Sequence, residues 1–275
     1  MFQVKKKPGI KILAPLPDRD FDPTESEFHL NVLKFNFDKY FKQVAVPWKI
    51  LQHFGMQVVF ATEKGAVPKA DPTLPSPDGV IMGTLGAEWE ARFFYSEMEK
   101  DDGFLHPIKW EDIDVQAYDG LFLCGGHAGG MKQYLESKAL QQKIVEIFSA
   151  NKMVAAVCHG ALLLARSMHN DRSVLAGRKT TCLPKYMENM AYYLTRMKHG
   201  RLYRTYEKHC EDEVADLVGR NCFDAGPMSL GTRGTLFDNS SAFICKDGNY
   251  FSARWPGDAY LLGREFGEAL LKEKC

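Results

Sequence analysis

The sequence predicts an α/β fold built on a mostly parallel β-sheet. Short apolar runs suited to buried strands alternate along the chain with amphipathic segments of helical period. The clearest unit is a strand at 10–16, a helix at 47–54 and a second strand at 56–61. That order is typical of parallel strands joined by a crossover helix.

The composition is that of an ordinary globular protein and argues against several functional classes. Of the 275 residues, 45% are hydrophobic and 25% are charged, and 35 basic side chains balance 35 acidic ones. This balance argues against nucleic acid as a partner, and no apolar run is long enough to span a membrane. Seven cysteines without a Cys-x-x-Cys pair indicate reduced thiols in a cytoplasmic protein and argue against a zinc ribbon or a disulfide framework.

We expect a single domain over 1–275 that carries three elaborations. Segments of about 62–117 and 186–235 are too long for plain loops. We interpret the first as a cap and the second as either part of the cap or a dimer surface. Residues 26–43 are inserted between the first strand and its helix. Alternating apolar residues there predict a hairpin or a short amphipathic element, acting either as a surface excursion or as a lid or interface element next to the site.

Start and stop signals set the limits of the first two helices. Pro47 suits the first turn of a helix over 47–54, and glycine at position 55 suits its end. A helix over 88–100 follows, for which Trp89, Phe93 and Phe94 are the predicted apolar anchors.

The last third of the chain predicts a strand, a hairpin and a closing helix. The strand covers 178–183, and the hairpin pairs 242–245 with 250–253 across a Lys-Asp-Gly-Asn turn. A helix over 259–274 ends the fold.

A third strand, 120–124, ends in the glycine-rich stretch 125–130. Glycines at a strand end allow the backbone to approach a ligand, but the stretch lacks Gly-Lys-Ser/Thr and the Rossmann spacing, which argues against a nucleotide site. We predict instead an oxyanion site formed by the amides of Gly126 and His159. His127 either lines this pocket or lies on a solvent-facing loop.

The stretch 153–166 predicts a buried strand that turns at Cys158 into a helix. An apolar run, 154–157, precedes the cysteine, and strong helix formers, 161–165, follow it. Small residues two positions before and two after the cysteine let a strained strand-to-helix corner close, as in the nucleophile elbow of hydrolases. The helix N-terminus favours the thiolate, so Cys158 is a candidate nucleophile with His159 beside it. The alternative is a buried structural cysteine.

Three motifs together resemble the ThiJ/PfpI superfamily, and within it the larger, capped glyoxalase III and chaperone-like branch. They are Ala156-Val157-Cys158-His159-Gly160, Gly125-Gly126-His127 and Asp22-Pro23-Thr24-Glu25, each following a predicted strand. The resemblance covers nearly the whole chain. It implies a flavodoxin-like three-layer sandwich and a protein that forms homodimers.

The resemblance also implies a set of catalytic residues. These are the Cys158 nucleophile, the neighbouring His159 and an acid after the first strand, which by position is Glu25. In the glyoxalase branch a further acid, after a Gly-Arg/Lys-x-x-Thr strand and a proline, orients the histidine, and Glu188 matches it. Either glutamate could also be an ordinary acid, Glu25 as a cap of the next segment and Glu188 as a solvated residue at a helix start.

In one place the chain departs from the pattern that it resembles. Family members run from the acid straight into a Val-Ala-Val-Pro-Trp helix start, found here at 44–48. In this chain 26–43 intervene, so Gln43 occupies the place before the helix while Glu25 stays with the strand.

The implied activity is conversion of α-oxoaldehydes such as methylglyoxal to hydroxy acids through a hemithioacetal on Cys158. Glu25 or His159 moves the proton, and neither a metal nor an organic cofactor is needed. Two alternatives remain open at this point. One is an amidase or peptidase, for which His209-Cys210-Glu211 is the counterpart of an amidotransferase His-x-Glu motif, and the other is a non-enzymatic redox sensor or chaperone.

Overall fold

A seven-stranded sheet lies at the centre of the structure, a computed structural model that describes residues 9–17, 38–68, 89–127, 130–201, 203–229 and 231–274. The strands in chain order are β1 (Lys11–Pro15), β2 (Gln57–Thr62), β3 (Ile108–Lys109), β4 (Gly120–Leu123), β5 (Met153–Val157), β6 (Met168–His169), β7 (Arg172–Ser173), β8 (Ile244–Asp247) and β9 (Tyr250–Ala253). The large sheet has the order β3-β2-β1-β4-β5-β9-β8, and β6 pairs with β7 in a separate hairpin.

Most pairs in the large sheet are parallel, which confirms the predicted fold class. Only the β8–β9 hairpin is antiparallel among its described pairs. Every residue of β4, β5 and β9 is buried, as expected for parallel strands covered on both faces.

The helices form two packed groups that cover the sheet. Their bounds are α1 (Asp38–His53), α2 (Trp89–Met98), α3 (Asp102–Leu105), α4 (Met131–Glu136), α5 (Lys138–Ser149), α6 (Gly160–Arg166), α7 (Lys185–His199), α8 (Cys210–Val218) and α9 (Ala259–Glu273). In one group α1 contacts α2 and α9, and in the other α6 contacts α4, α5 and α8. The predicted closing helix is thus present as α9, and the hairpin as β8 and β9.

The predicted start of the first helix was wrong. Pro47 lies inside α1, which begins nine residues earlier at Asp38. Proline in a helix interior removes one hydrogen bond at a cost of about 3 kcal/mol, so sequence favours it at the first turn. The helix is anchored to the core on both sides of Pro47 by the buried residues 43–46 and Trp48. Their burial offsets the cost of the proline. The insertion therefore contributes helix from residue 38, and 18–37 lie outside the described residues.

Two predicted anchors of the second helix were also wrong. Trp89 is 71% exposed and Phe93 is 48% exposed, whereas Phe94 is buried together with Ala91 and Met98. The buried positions recur at intervals of three and four, so a narrow helix stripe faces the core and the other aromatic residues lie outside it.

The predicted strand over 178–183 is an irregular segment with a single bridge between Thr180 and Phe223. The strand next to it, β9, already pairs with β5 on one side and β8 on the other, so the sheet has no free edge at this place. The segment instead bonds to side chains, as where the Thr181 N–H donates to Ser252 Oγ at 3.0 Å.

Residues 62–117 include an edge strand of the large sheet as well as α2 and α3. The strand β3 pairs with the end of β2, where Ala61 lies opposite Ile108. Its two residues are too few for a periodic signal, so the sequence did not predict this strand.

Among the described residues, no helix is both long and apolar enough to cross a lipid bilayer.

A buried ion pair fixes the chain that follows β9. Arg254 donates to the Asp258 carboxylate from Nε at 2.9 Å and from Nη2 at 3.0 Å, and both side chains are buried. Its Nη1 donates to the Pro227 carbonyl at 2.7 Å, which ties the segment before β8 to the end of the sheet that carries Cys158. The guanidinium also lies over the Phe243 ring.

We predict that Arg254→Met lowers the free energy of unfolding by about 3–5 kcal/mol, because it leaves the Asp258 carboxylate buried without its partner. Urea denaturation followed by circular dichroism measures the change. Lys208→Met is the control, because its ion pair with Asp216 is partly exposed, and it should leave the urea midpoint unchanged. Equal stability of the two variants would contradict the prediction, and Arg254→Met/Asp258→Leu should recover part of the loss.

Candidate functional site

The site lies where the order of the sheet reverses. The chain winds outward from β1 to β2 in one direction and from β4 to β5 in the other. In open α/β sheets the crevice beyond the carboxyl ends of the strands at such a reversal is where ligands bind. Cys158 follows β5 and the 124–127 loop follows β4, so both lie at this edge.

Cys158 adopts the left-handed backbone conformation of a nucleophile elbow. Its φ angle is +58°, its side chain is buried, and its N–H donates to the Ala253 carbonyl at 3.0 Å. The other described non-glycine residues with positive φ are asparagine or aspartate, which tolerate this conformation. Cys158 is therefore the strained residue among them, and such strain costs about 1–3 kcal/mol and is typical of active sites.

Two glycines let the loop after β4 contact the elbow. A Cβ on Gly125 would lie 2.7 Å from the Cys158 Cβ and 2.6 Å from the His159 nitrogen. A Cβ on Gly160 would lie 2.5 Å from the Leu123 carbonyl oxygen. All three distances are shorter than real contacts of a Cβ atom, so neither position accommodates a side chain.

His159 places a ring nitrogen beside the thiol. Its Nδ1 lies 3.5 Å from the Cys158 Sγ, within hydrogen-bond distance for sulfur. The ring is buried and meets the His127 ring edge-on, with centroids 4.7 Å apart. On its other side His127 packs against Tyr203, with centroids 5.1 Å apart.

The loop residues predicted for oxyanion binding are both buried in this region. Gly126 precedes His127, which is 5% exposed, so the solvent-facing interpretation of His127 was wrong. The contact between the rings of His127 and His159 brings the loop and the elbow together. An oxyanion role for the amides of Gly126 and His159 remains a prediction.

Gln43 brings an amide into the same region. Its Oε1 accepts a hydrogen bond of 2.7 Å from the Gly125 N–H, and its side chain is fully buried. Its Nε2 is buried too, and it makes no hydrogen bond with the described residues. A neutral amide that cannot exchange a proton thus contacts the loop beside the elbow.

Of the two predicted acids, the structure describes Glu188 but not Glu25. Glu25 lies outside the described residues, so its position relative to Cys158 stays a prediction. Glu188 lies in the first turn of α7 and is 1% exposed, so it is not a solvated acid. Its Oε2 accepts a hydrogen bond of 3.0 Å from the Cys210 N–H, at the first residue of α8.

Two further thiols, those of Cys182 and Cys210, lie in contact with each other near Glu188. Burial raises the pKa of the Cys182 thiol, although its hydrogen bond with Cys210 opposes the shift. Burial raises the pKa of Cys210 more strongly, and its hydrogen bond with Cys182 and the nearby Glu188 charge add to the rise. Both groups therefore stay protonated at neutral pH. None of the six described cysteines forms a disulfide, in agreement with the prediction of reduced thiols.

Sequence reasoning did not assign Gln43 or Tyr203 to the site. A signal existed for Gln43, since it directly precedes 44–48, the stretch that carries the helix-start resemblance. No signal existed for Tyr203, one of several tyrosines in a segment without clear periodicity.

Comparison with known proteins gives the same family as the motifs. The sequence profile described as ThiJ/PfpI family-like matches residues 37–217. A glutathione-independent glyoxalase of Schizosaccharomyces pombe is 29% identical over 143 residues, which cover 50% of this chain and 55% of that protein. A probable glutathione-independent glyoxalase of the same organism is 22% identical over 245 residues, 82% of this chain and 87% of that protein.

Solved structures support the fold. The crystal structure of glyoxalase III from Candida albicans superposes with a TM-score of 0.64 at 20% sequence identity, covering 94% of this chain and 97% of that one. The profile match extends over more than half of the chain and includes both the 124–127 loop and the elbow at Cys158. The chain therefore belongs to the ThiJ/PfpI-like family.

Proposed function

We propose that this protein is a cysteine-dependent enzyme that converts small α-oxoaldehydes such as methylglyoxal to hydroxy acids without glutathione. The observation that carries the proposal is the strained Cys158, with the His159 Nδ1 3.5 Å from its sulfur, in the crevice where the sheet order reverses. The relatives named glutathione-independent glyoxalases support this substrate class.

The reaction begins at the Cys158 sulfur. His159 accepts the thiol proton, and the sulfur adds to the aldehyde carbon of methylglyoxal to give a hemithioacetal. Removal of the hydrogen from that carbon gives an enediol, and protonation of the neighbouring carbon gives a lactoyl thioester. Water then cleaves the thioester, which releases lactate and restores the thiol. The net reaction consumes one water molecule and needs no external oxidant or reductant.

The proton transfers are assigned to His159. Glu25 and His159 are the two groups expected to move the proton between the carbons, and His159 is the one whose position the structure describes. The Gln43 amide lies nearby but cannot accept and return a proton. The packing of His127 against His159 restricts the orientation of the catalytic ring, which keeps Nδ1 directed at the sulfur.

The two oxygens of an α-oxoaldehyde suit the donors at this site. We assign one oxygen to the amides of Gly126 and His159 and the other to the Gln43 Nε2. A buried donor without an acceptor costs about 1–3 kcal/mol, and a carbonyl oxygen of the substrate would recover that cost. A monocarbonyl aldehyde would leave one set of donors unused and should be the poorer substrate.

The geometry does not favour amide hydrolysis. His209, which precedes α8, lies with its Nε2 2.8 Å from the Asn189 Oδ1. The Glu211 Oε2 accepts the Lys185 N–H at 2.7 Å. These contacts link the N-terminal parts of α7 and α8, so hydrogen bonds already engage both outer residues of the triplet that resembles an amidotransferase motif.

We predict that Cys158→Ala loses lactate formation from methylglyoxal by about 10³-fold or more, because no other group replaces the nucleophile. The assay omits glutathione and measures lactate directly. The matched control is Cys222→Ala, which removes a half-buried thiol in the turn after α8 and should keep full activity. Turnover by Cys158→Ala at the rate of this control would contradict the proposal.

We predict that Gln43→Glu adds an ionisation to the pH profile of kcat/KM that the natural chain lacks. Glutamate keeps the acceptor for the Gly125 N–H but introduces a group that titrates in the site, whereas glutamine does not titrate. Gln43→Leu is the comparison, since it leaves that N–H unsatisfied and should lower kcat/KM about tenfold or more without a new ionisation. Identical pH profiles for the natural chain and Gln43→Glu would place residue 43 outside the reaction.

A chaperone function is a second candidate, favoured by an exposed apolar row on α7. The row consists of Met190, Tyr193, Leu194 and Met197, which are between 41% and 93% exposed. Their spacing of i, i+3, i+4 and i+7 puts them on one helix face. An exposed apolar face of this kind marks a surface for binding other chains.

We predict that Leu194→Glu/Met197→Glu reduces suppression of thermal aggregation of a client such as citrate synthase, measured by light scattering. The charges interrupt the apolar row while leaving the elbow intact. Cys158→Ala is the control and should suppress aggregation as well as the natural chain does. Unchanged suppression by the double variant would exclude α7 as the binding surface.

A further inference from the structure

Three metal-binding side chains converge at the elbow. His127, Cys158 and His159 are all buried, and their ligand atoms lie within 4.8 Å of one another. They come from the loop after β4 and from the turn after β5, which the glycines at 125 and 160 hold in contact. Of the residues that the structure describes, these three form the one group of this kind.

The distance between the Cys158 sulfur and the His159 nitrogen already matches the distance between two ligands of a tetrahedral zinc ion. Zinc bonds to sulfur at about 2.3 Å and to nitrogen at about 2.0–2.1 Å, which puts the two ligand atoms about 3.5 Å apart. The Cys158 Sγ and His159 Nδ1 are 3.5 Å apart. The other distances among the three ligand atoms are at most 4.8 Å. A movement of the His127 side chain by at most about 1.4 Å would therefore bring all three atoms to the spacing of a tetrahedral zinc site.

The type of ligand selects the type of metal. One thiolate and two imidazoles suit Zn²⁺ or a similar borderline cation, whereas Mg²⁺ and Ca²⁺ prefer oxygen. Three protein ligands leave a fourth position for water, as in an open zinc site. Binding displaces the thiol proton, so the site takes up one Zn²⁺ and releases one proton.

We propose that His127, Cys158 and His159 form a Zn²⁺ site that, when occupied, blocks the cysteine. The metal would occupy the sulfur lone pair needed for addition to an aldehyde and the His159 nitrogen needed for proton transfer. The blocking effect rests on the proposed function, but metal binding does not. The protein would then be inhibited by free Zn²⁺ and reactivated by a chelator.

Metal binding is tested with the metal-free full chain. Co²⁺ replaces Zn²⁺ as the spectroscopic probe, and a sulfur-to-cobalt charge-transfer band in the natural chain is the expected result. If the natural chain shows no such band at saturating Co²⁺, the proposal is overturned. Isothermal titration calorimetry with Zn²⁺ should show one bound ion per chain. Weak or non-stoichiometric binding would count against the proposed metal site.

Variants then identify the ligands. His127→Phe keeps a ring between His159 and Tyr203 but removes a ligand, and Zn²⁺ affinity should fall about 100-fold or more. Cys158→Ala should abolish the charge-transfer band, whereas Cys245→Ala, which removes a buried thiol on β8, should keep both band and affinity. Natural affinity in His127→Phe, or a persistent band in Cys158→Ala, would refute the site.

A last measurement separates the site from the activity. One equivalent of Zn²⁺ should abolish lactate formation in the natural chain, and a chelator should restore it. If the natural chain binds Zn²⁺ at these ligands but never turns over methylglyoxal, the proposed function fails and the metal site stands. If it turns over methylglyoxal at full rate with Zn²⁺ bound, the inhibitory site is refuted.

Discussion

The contact between the loop after β4 and the corner after β5 is the constraint on which the site depends. The left-handed backbone of Cys158 costs about 1–3 kcal/mol, so the surrounding structure must hold it. One restraint is the hydrogen bond from the Cys158 N–H to the Ala253 carbonyl, which joins the corner to β9. A second is the absence of room for any side chain at Gly125 or Gly160. The thiol is therefore fixed at the start of α6 by packing around it.

The same contact explains why a residue far away in sequence belongs to the site. The Gly125 N–H is buried and needs an acceptor, and the Gln43 Oε1 supplies it from α1. This arrangement is possible because α1 continues through Pro47 instead of starting there. Packing of α1 against α2 and α9 holds the helix in this position, so the outer layer of the fold contributes to the geometry of the crevice.

Sequence predicted the parts of this structure that depend on local patterns. The central strands, the hairpin before α9 and the corner at Cys158 all follow from apolar runs and small residues that lie close together in the chain. The irregular path of 178–183 could not be predicted, because it depends on β9 having both edges paired. The start of α1 could not be predicted either, since tertiary packing there outweighs the usual preference of proline for a helix start.

Long-range contacts account for the remaining differences at the site. Tyr203 contacts His127 across 76 positions of sequence, and no periodic pattern identifies such a pair. Glu188 is a helix-start acid by sequence, but it is buried against the start of α8 because the Cys210 N–H needs an acceptor. Local sequence thus locates the corner at Cys158, and the packing of separate segments determines its neighbours.

An amide at position 43 has different electrostatic consequences from a carboxylate. A carboxylate close to Cys158 would add a negative charge and disfavour the thiolate, unless it held a proton itself. Gln43 adds no charge, and its Nε2 is a donor that can bind an oxygen of a ligand. In the proposed mechanism, the ionisation of Cys158 and the transfer of protons then depend on the thiol and His159. That mechanism assigns both functions to the imidazole whose Nδ1 lies 3.5 Å from the sulfur, so a ligand that captures that nitrogen would stop the proposed reaction.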